Sequence, residues 1–239
     1  PFFNYIIPHR IQENNTFTMN GPYKAAELIL NIFHDIAEGD TMCCSFSGKI
    51  DGKNIKDIEV YKTVAFMSQI SEIYFDYSVF DTVMLGRYAS FKDKIFSMPD
   101  KKDKEIVLEY LEKLKIIHLK DKSINRLSGG ELQKVFLARV FAQNPKIILM
   151  DEPANHLDLN SQIELIYNLK EWASKEERCI VAVMHDINNV FNFANKILLL
   201  NRGEILYFGE SDRFNLELLN RIYNVDVAEY MRNSLKNWL

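Results

Sequence analysis

Two segments of one stretch carry the strongest fold signals in this chain: Asn125-Arg126-Leu127-Ser128-Gly129-Gly130-Glu131-Leu132-Gln133 and, further along, Ile147-Ile148-Leu149-Met150-Asp151-Glu152. Ser128 is a good helix N-cap, and Glu131 stands three residues later at the capping-box spacing. The two glycines between them let backbone N–H groups approach a ligand at the positive end of a helix dipole. The first half of the stretch therefore predicts an anion site at the start of a helix.

The second half predicts a buried strand that ends in two carboxylates. Residues 147–150 are apolar without interruption, as in parallel strands that are covered on both faces. Asp151 and Glu152 follow at the edge where open α/β sheets bind ligands. Each half alone has an ordinary explanation, since Ser-Gly-Gly is usually a turn and Asp-Glu usually a loop start. Their order and spacing together favour a phosphate-binding site.

Composition narrows the class of protein. The chain has 239 residues, of which 47% are hydrophobic and 26% charged, as in an ordinary globular protein. A formal net charge of −4 argues against a broad nucleic-acid-binding face, so we expect no nucleic-acid partner. No run of 18 apolar residues is present, and the three cysteines suggest neither a disulfide framework nor a metal site. We expect a cytoplasmic setting.

The rest of the chain alternates strands and helices. Two or three antiparallel strands are predicted near the start, at 5–18 and 27–35, with 41–44 beginning a buried strand. A further strand is predicted at 64–68, a buried parallel strand at 178–184, and a hairpin at 197–200 and 204–208. Helical periodicity covers 78–87, 103–114, 161–175 and 214–223. The charged segment Asp100–Lys104 is predicted to be a solvated loop and helix start.

The stretch resembles the ABC-type ATPases, specifically the ATP-binding subunits of ABC transporters. Leu127–Glu131 matches the family's signature motif, Ile147–Glu152 its Walker B strand, and His156-Leu157-Asp158 its D-loop. The resemblance implies an α/β fold with a P-loop NTPase-type sheet, an antiparallel β subdomain and an inserted helical subdomain. It places the nucleotide-binding core at 1–73 and 127–239 and the helical subdomain at 74–126.

The resemblance also implies roles for individual residues. Asp151 would bind Mg²⁺ and Glu152 would be the general base for the attacking water, with His185 and Gln69 orienting that water and Gln69 also near the metal. Ser128, Gly129, Gly130 and Glu131 would clamp the ATP of a second copy of the chain, and Asp158 would lie at the seam of that dimer. Where the family stacks an aromatic residue on adenine this chain has Met19, so Tyr23 is the substitute candidate.

One expected element is missing. The family's P-loop, G-x-x-x-x-G-K-[ST], cradles the phosphates with its backbone N–H groups, and no such motif occurs in this sequence. The Gly-Lys pairs at Gly48 and Gly52 lack the upstream glycine, and no helical period separates Cys44 from Val64. Either the sequence omits a P-loop segment, between Asp40 and Gly48, or the protein lacks its nucleotide cradle. We expect the former, because the other nucleotide-facing parts have little use without the cradle.

Three functions follow from these patterns. The first is the ATP-binding and hydrolysing subunit of a membrane importer, with ATP and Mg²⁺ bound. Its partners would be a second copy, permease subunits and, indirectly, a substrate-binding protein, at the inner face of the membrane. Similarity at residues 137–159 and 218–225 favours iron-siderophore, haem or cobalamin importers. The alternatives are an inactive ABC domain with a regulatory or structural role and a non-transport ABC protein.

The intact mass of the protein from its natural source tests the P-loop explanation. If a segment is missing from the sequence, we expect a mass roughly 2 kDa above the 28.0 kDa of this chain, since a P-loop and its helix need about twenty residues. Intact-protein mass spectrometry under denaturing conditions measures the difference directly. A mass equal to that of this chain would mean that the protein has no P-loop.

Overall fold

A computed structural model describes residues 49–50, 53–54, 60–67, 76–90, 99–155, 157–175, 178–201 and 204–236. The chain divides into two compact units, and the described residues belong either to the first unit, within 45–184, or to the second, within 185–239. The predicted strands before residue 49 lie outside the described residues, as do Tyr23, Gln69, His156 and the segment where the P-loop is expected.

The first unit is built on a parallel sheet. A short antiparallel pair, β1 (Lys49–Ile50) and β2 (Lys53–Asn54), and a single helical turn, α1 (Val60–Thr63), precede β3 (Val64–Met67). The sheet has the order β3-β4-β5, with β4 spanning Ile147–Asp151 and β5 spanning Cys179–Val183, and both pairings are parallel. The predicted α/β class with parallel strands is confirmed, and β4 has the predicted burial. The prediction that the strand at 178–184 is buried is wrong for most of β5, whose first four residues are half-buried.

Helices cover the segments between these strands. They are α2 (Val79–Met84), continued by a 3₁₀ segment at Leu85–Ser90, then α3 (Lys101–Lys113), α4 (Gly129–Gln143) and α5 (Leu159–Ala173). Each begins close to a predicted position, because its N-cap is a short polar residue whose side chain accepts a backbone hydrogen bond. These caps are Ser78, Asp100, Ser128 and Asp158.

The core of the first unit lies between α4 and its neighbours. Phe141 of α4 stacks on Trp172 of α5 at a centroid distance of 5.8 Å and packs against Tyr110 of α3, also at 5.8 Å. Helix α4 ends at Asn144, which adopts a left-handed conformation with φ 53°, just before Pro145. This agrees with the predicted stop, since proline disfavours helix in the residue before it.

The prediction that the segment 100–104 is solvated is wrong for Asp103. Asp103 is only 5% exposed, and its carboxylate accepts from Arg87 Nε at 3.0 Å while also accepting from the backbone N–H of Asp100 at 3.0 Å. Arg87 in turn donates to the carbonyl of Ala142 at 2.6 Å. A charged residue at a helix start is usually exposed, and here a partner distant in sequence makes its burial possible.

The second unit contains an antiparallel pair flanked by helices. Helix α6 (Ile187–Phe193) precedes β6 (Lys196–Asn201) and β7 (Glu204–Glu210), which form the predicted terminal hairpin. The predicted helix over 214–223 is shorter, α7 (Glu217–Tyr223), and the sequence reading missed α8 (Val227–Leu235). Within the described part of the chain, none of the helices combines the length and the apolar character that a membrane crossing needs.

Replacement of Gly86 by alanine tests the contact between the 3₁₀ segment and α4. An added Cβ would lie 2.2 Å from the backbone carbonyl oxygen of Arg139, so the two segments would have to separate. We expect Gly86→Ala to lower the free energy of unfolding by about 1–3 kcal/mol. Gly129→Ala is the matched control, since its Cβ would meet no atom within 4 Å. Equal stability of the two variants in urea titrations would contradict this packing.

Candidate functional site

The start of α4 has the predicted capping box. Ser128 Oγ accepts from the backbone N–H of Glu131 at 3.3 Å, and Glu131 Oε2 accepts from the backbone N–H of Ser128 at 2.7 Å. The Ser128 hydroxyl also donates to Glu131 Oε2 at 2.8 Å. The two bonds that Glu131 Oε2 accepts, first from the Ser128 backbone N–H and then from the Ser128 hydroxyl, hold the pKa of Glu131 below its ordinary value, because they favour the carboxylate. The first turn of the helix is therefore ordered by its own side chains.

Gly129 and Gly130 have different surroundings in this turn. A Cβ on Gly130 would lie 2.7 Å from Ser161 Oγ, so close packing between α4 and α5 requires its absence. A Cβ on Gly129 would meet nothing within 4 Å. No contact of the described residues explains why residue 129 is a glycine. The open space around it leaves room for a ligand to approach the backbone, as an anion site needs.

The predicted acidic pair lies at the carboxyl end of β4. Asp151 is the last residue of that strand, in register with Val183 of β5. Glu152 follows with φ 46°, a left-handed conformation that is uncommon for a residue with a side chain. Strained backbone of this kind costs of order 1–3 kcal/mol and persists only where the surroundings hold it. Such positions concentrate at functional sites.

Several hydrogen bonds hold the turn that follows. The backbone N–H of Glu152 donates to the carbonyl of Val183 at 3.0 Å, and the backbone N–H of Asn155 donates to the carbonyl of Glu152 at 3.1 Å. The Asn155 side-chain amide also donates to Glu152 Oε2. Residues 152–155 therefore form a closed turn, named here the Glu152 turn. This turn holds the backbone from which the Glu152 side chain extends.

A side chain that the sequence reading did not single out connects this turn to α4. Gln133 Nε2 donates to the carbonyl oxygen of Pro153 at 2.6 Å. Glutamine on a helix has no local signature of such a contact, because its partner lies twenty residues away in the sequence. The contact places the signature-like helix and the acidic pair in one connected structure.

Asp158 caps the start of α5, a structural role that the sequence did not predict, while its role at a dimer seam stays a prediction. Its Oδ1 accepts from the backbone N–H of Ser161 at 3.0 Å and its Oδ2 accepts from the Ser161 hydroxyl at 2.7 Å, which caps α5. The side-chain bond, followed by the backbone bond, holds the pKa of Asp158 below its usual value. Ser161 is also the residue against which Gly130 packs, and Lys134 forms an ion pair with Glu164 between the same two helices.

The first unit thus brings together most of the predicted site residues that the structure describes. The start of α4, the start of α5 and the end of β4 are joined by the contacts of Gly130 and Gln133. His185 directly follows the β5 segment along the chain but belongs to the second unit, where it is exposed and precedes α6. Asp186, beside it, caps α6 by accepting from the backbone N–H of Asn189 at 2.8 Å.

The described carboxylates are compatible with a Mg²⁺ ion that takes most of its coordination from substrate phosphates and water. Among the described residues, no group of three or more histidine, cysteine, aspartate or glutamate side chains could enclose a metal ion. Mg²⁺ commonly takes only one or two carboxylates, with substrate phosphates and water completing its octahedron. A single carboxylate such as Asp151, at the end of a parallel strand, has the chemistry for that arrangement.

Comparison with known proteins places these motifs in a family. The family model described as "ABC transporter" matches residues 31–155. An ABC transporter ATP-binding protein of Methanocaldococcus jannaschii is 34% identical over 186 residues, covering 77% of this chain and 69% of the relative. The ferric enterobactin transport ATP-binding protein of Escherichia coli is 32% identical over 180 residues, 74% of this chain and 66% of the relative.

Further comparisons agree. The molybdate import ATP-binding protein of Haemophilus influenzae is 36% identical over 172 residues, 72% of this chain and 67% of the relative. The chain thus spans about two thirds of the length of these curated relatives. Among solved structures, a metal-chelate type ABC transporter in an inward-facing conformation matches with a TM-score of 0.62 and 32% identity, over 68% of this chain and 64% of that one. An ATP-binding cassette in its ADP conformation matches with a TM-score of 0.60 at 20% identity, covering 82% of each chain, which shows the fold alone.

The capping box gives a pH-dependent prediction. Because folding lowers the pKa of Glu131, the ionised side chain stabilises the fold, and this contribution is fully present above the ordinary carboxyl pKa of about 4.3. It is lost as the pH falls through the lower pKa of the folded state. We therefore subtract the free energy of unfolding of Glu131→Gln from that of the unmodified chain. We expect this difference to be constant near pH 7 and to decrease below about pH 4.3.

Urea titrations of both proteins at each pH measure this difference. Glu131→Gln is the suitable reference because glutamine keeps a hydrogen-bond acceptor at the same position and does not titrate. A difference that stays constant down to pH 3 would mean that Glu131 does not hold the start of α4.

Proposed function

The chain belongs to the ABC transporter family of ATP-binding proteins and is a transport ATPase by class. We propose that it binds and hydrolyses ATP as the nucleotide-binding subunit of a membrane importer. One observation carries the proposal: the Glu152 turn and the start of α4 are joined in a single unit by Gln133. A carboxylate at a sheet edge and an anion-binding helix start are two of the devices that phosphoryl transfer uses.

The proposed division of labour follows from charge. Asp151 holds Mg²⁺ with the nucleotide phosphates, and the bound ion offsets the negative charge that develops on them. Glu152 accepts a proton from the attacking water, as a general base beside the γ-phosphate. Gln69 and His185 orient that water, and Tyr23 contacts adenine. The left-handed backbone of Glu152 supports this assignment, because such conformations are kept where function needs a side chain in one place.

We place two copies of the chain head to tail. In the family geometry a signature motif contacts the nucleotide of the opposite subunit, so residues 128–131 serve the partner's ATP while Glu152 serves its own. Asp158 then lies at the seam between the copies, where its position at the start of α5 leaves it exposed. Hydrolysis separates the copies and drives permease subunits between states, at the inner face of the membrane, with a substrate-binding protein acting through the permease.

The proposed cargo is an iron-siderophore, haem or related metal chelate. The 32% identity to the metal-chelate type transporter and to the ferric enterobactin protein supports this class. Other relatives of comparable identity are named for manganese, molybdate and phosphonates. Capture of the permease that co-purifies with the chain identifies the cargo class, since the substrate pathway lies in that subunit.

A second candidate function is an ABC domain that does not hydrolyse ATP and regulates or supports a partner. The absence of a P-loop motif from the sequence favours it, because the motif's N–H groups and lysine hold the β- and γ-phosphates. The retained acidic pair favours the ATPase. Measurement of ATP turnover by the protein from its natural source separates the two functions.

Glu152→Gln tests the assigned base. We expect turnover to fall by about 10²–10⁴-fold, because glutamine cannot accept the proton, while ATP binding persists and an ATP-bound dimer accumulates. Phosphate release and light scattering after size exclusion measure the two effects. Glu109→Gln, at an exposed position on α3, is the control and leaves both unchanged. Turnover at the unmodified rate in Glu152→Gln would place the base elsewhere.

A further inference from the structure

The hydrogen bond from Gln133 to Pro153 holds a backbone carbonyl next to Glu152. Proline has no backbone N–H, so the carbonyl is its only backbone group that can form a hydrogen bond. Pro153 is buried, and the Gln133 carboxamide donates to that carbonyl at 2.6 Å. A buried carbonyl that lost this donor would carry a desolvation penalty. The side chain of Gln133 therefore holds the backbone at the residue directly after Glu152.

The Glu152 turn is fixed from both sides. On the strand side, the backbone N–H of Glu152 donates to Val183 in β5 at 3.0 Å. On the helix side, Gln133 holds Pro153 from α4. Between these anchors Glu152 keeps its left-handed φ of 46°. A strained residue needs such anchors, and release of one lets the turn relax toward commoner conformations.

Gln133 also lies on the helix one turn beyond the paired glycines. Residues three and four apart are neighbours on a helix surface, so Gln133 follows Gly129 and Gly130 on α4. Gly130 is packed against Ser161 at the start of α5. Through Gln133, the same helix is bonded directly to the turn that carries Glu152.

We propose that Gln133 is a positioning residue that couples the start of α4 to the carboxylate of Glu152. This inference rests on the proposed function, in which residues 128–131 contact the partner's nucleotide and Glu152 acts on its own. Gln133 then connects the two half-sites of one chain. Contact of the helix start with the nucleotide across the dimer seam sets the position of the base in the chain's own site.

The chain provides a matched control at the other end of the same helix. Gln143 Nε2 donates to the backbone carbonyl of Val64 at 2.9 Å, a part-buried bond of the same chemistry that ties α4 to β3. Gln133→Leu and Gln143→Leu each remove one carboxamide donor from one backbone carbonyl. The second variant therefore reports what such a loss does when the Glu152 turn is not involved.

Two readouts test the proposal on the full chain. Hydrogen exchange of peptides containing Glu152 and Asn155, without nucleotide, reports opening of the turn, since the Asn155 N–H is bonded within it. ATP turnover reports the base. We expect Gln133→Leu to speed exchange in this turn and to lower kcat, each by about tenfold, with KM for ATP within about twofold. Gln143→Leu is expected to change neither.

The outcomes separate this proposal from the function on which it rests. Exchange in the turn that is unchanged in Gln133→Leu, or equally raised in Gln143→Leu, overturns the positioning role, as does faster exchange with unchanged kcat. Turnover of the unmodified protein no faster than that of Glu152→Gln overturns the ATPase function. The exchange comparison then still decides whether Gln133 holds the turn.

Discussion

Burial of one apolar strand between two parallel neighbours is the constraint on which the rest of the first unit depends. Residues 147–150 of β4 are all buried, and each contributes about 1.5–3 kcal/mol by leaving water. Because both neighbours run parallel to β4, every strand of this sheet ends at the same edge. The apolar run stops at that edge, so the first polar side chains, Asp151 and Glu152, emerge where an α/β sheet binds its ligands.

Helix α4 is the second organising element, and it serves two purposes. Its buried face, including Val135 and Phe141, fills the core against α3 and α5. Its first turn is closed by the capping box and carries Gly129 with open space beside it. One helix therefore links a packed interior to the end at which an anion site is predicted. Through Gly130 and Gln133 the same helix holds the start of α5 and the Glu152 turn, so the predicted half-sites share one support.

The parts of the fold that could be predicted are those with a local physical signature. The capping box, the stop before Pro145 and the unbroken apolar strands each depend on residues within about one helical turn or one strand, and the structure confirms all three. The charged start of α3 could not be read this way. Asp103 looks solvated by its neighbours and is buried only because Arg87, sixteen residues earlier, pairs with it. Helix α8 lay beyond the predicted closing helix and was missed.

The sequence alone predicted the candidate site residues and the elements that they begin or end, since hydrophobic period, caps and carboxylate pairs are properties of short segments. The family followed from the order of those segments. How these residues are held depends on tertiary packing, which sets the left-handed backbone of Glu152, the contact of Gly130 with Ser161, and the bond from Gln133 to Pro153. Each of the last two joins residues that are far apart in the chain. No local pattern encodes such a contact, because it forms only after the helices and the sheet have packed together.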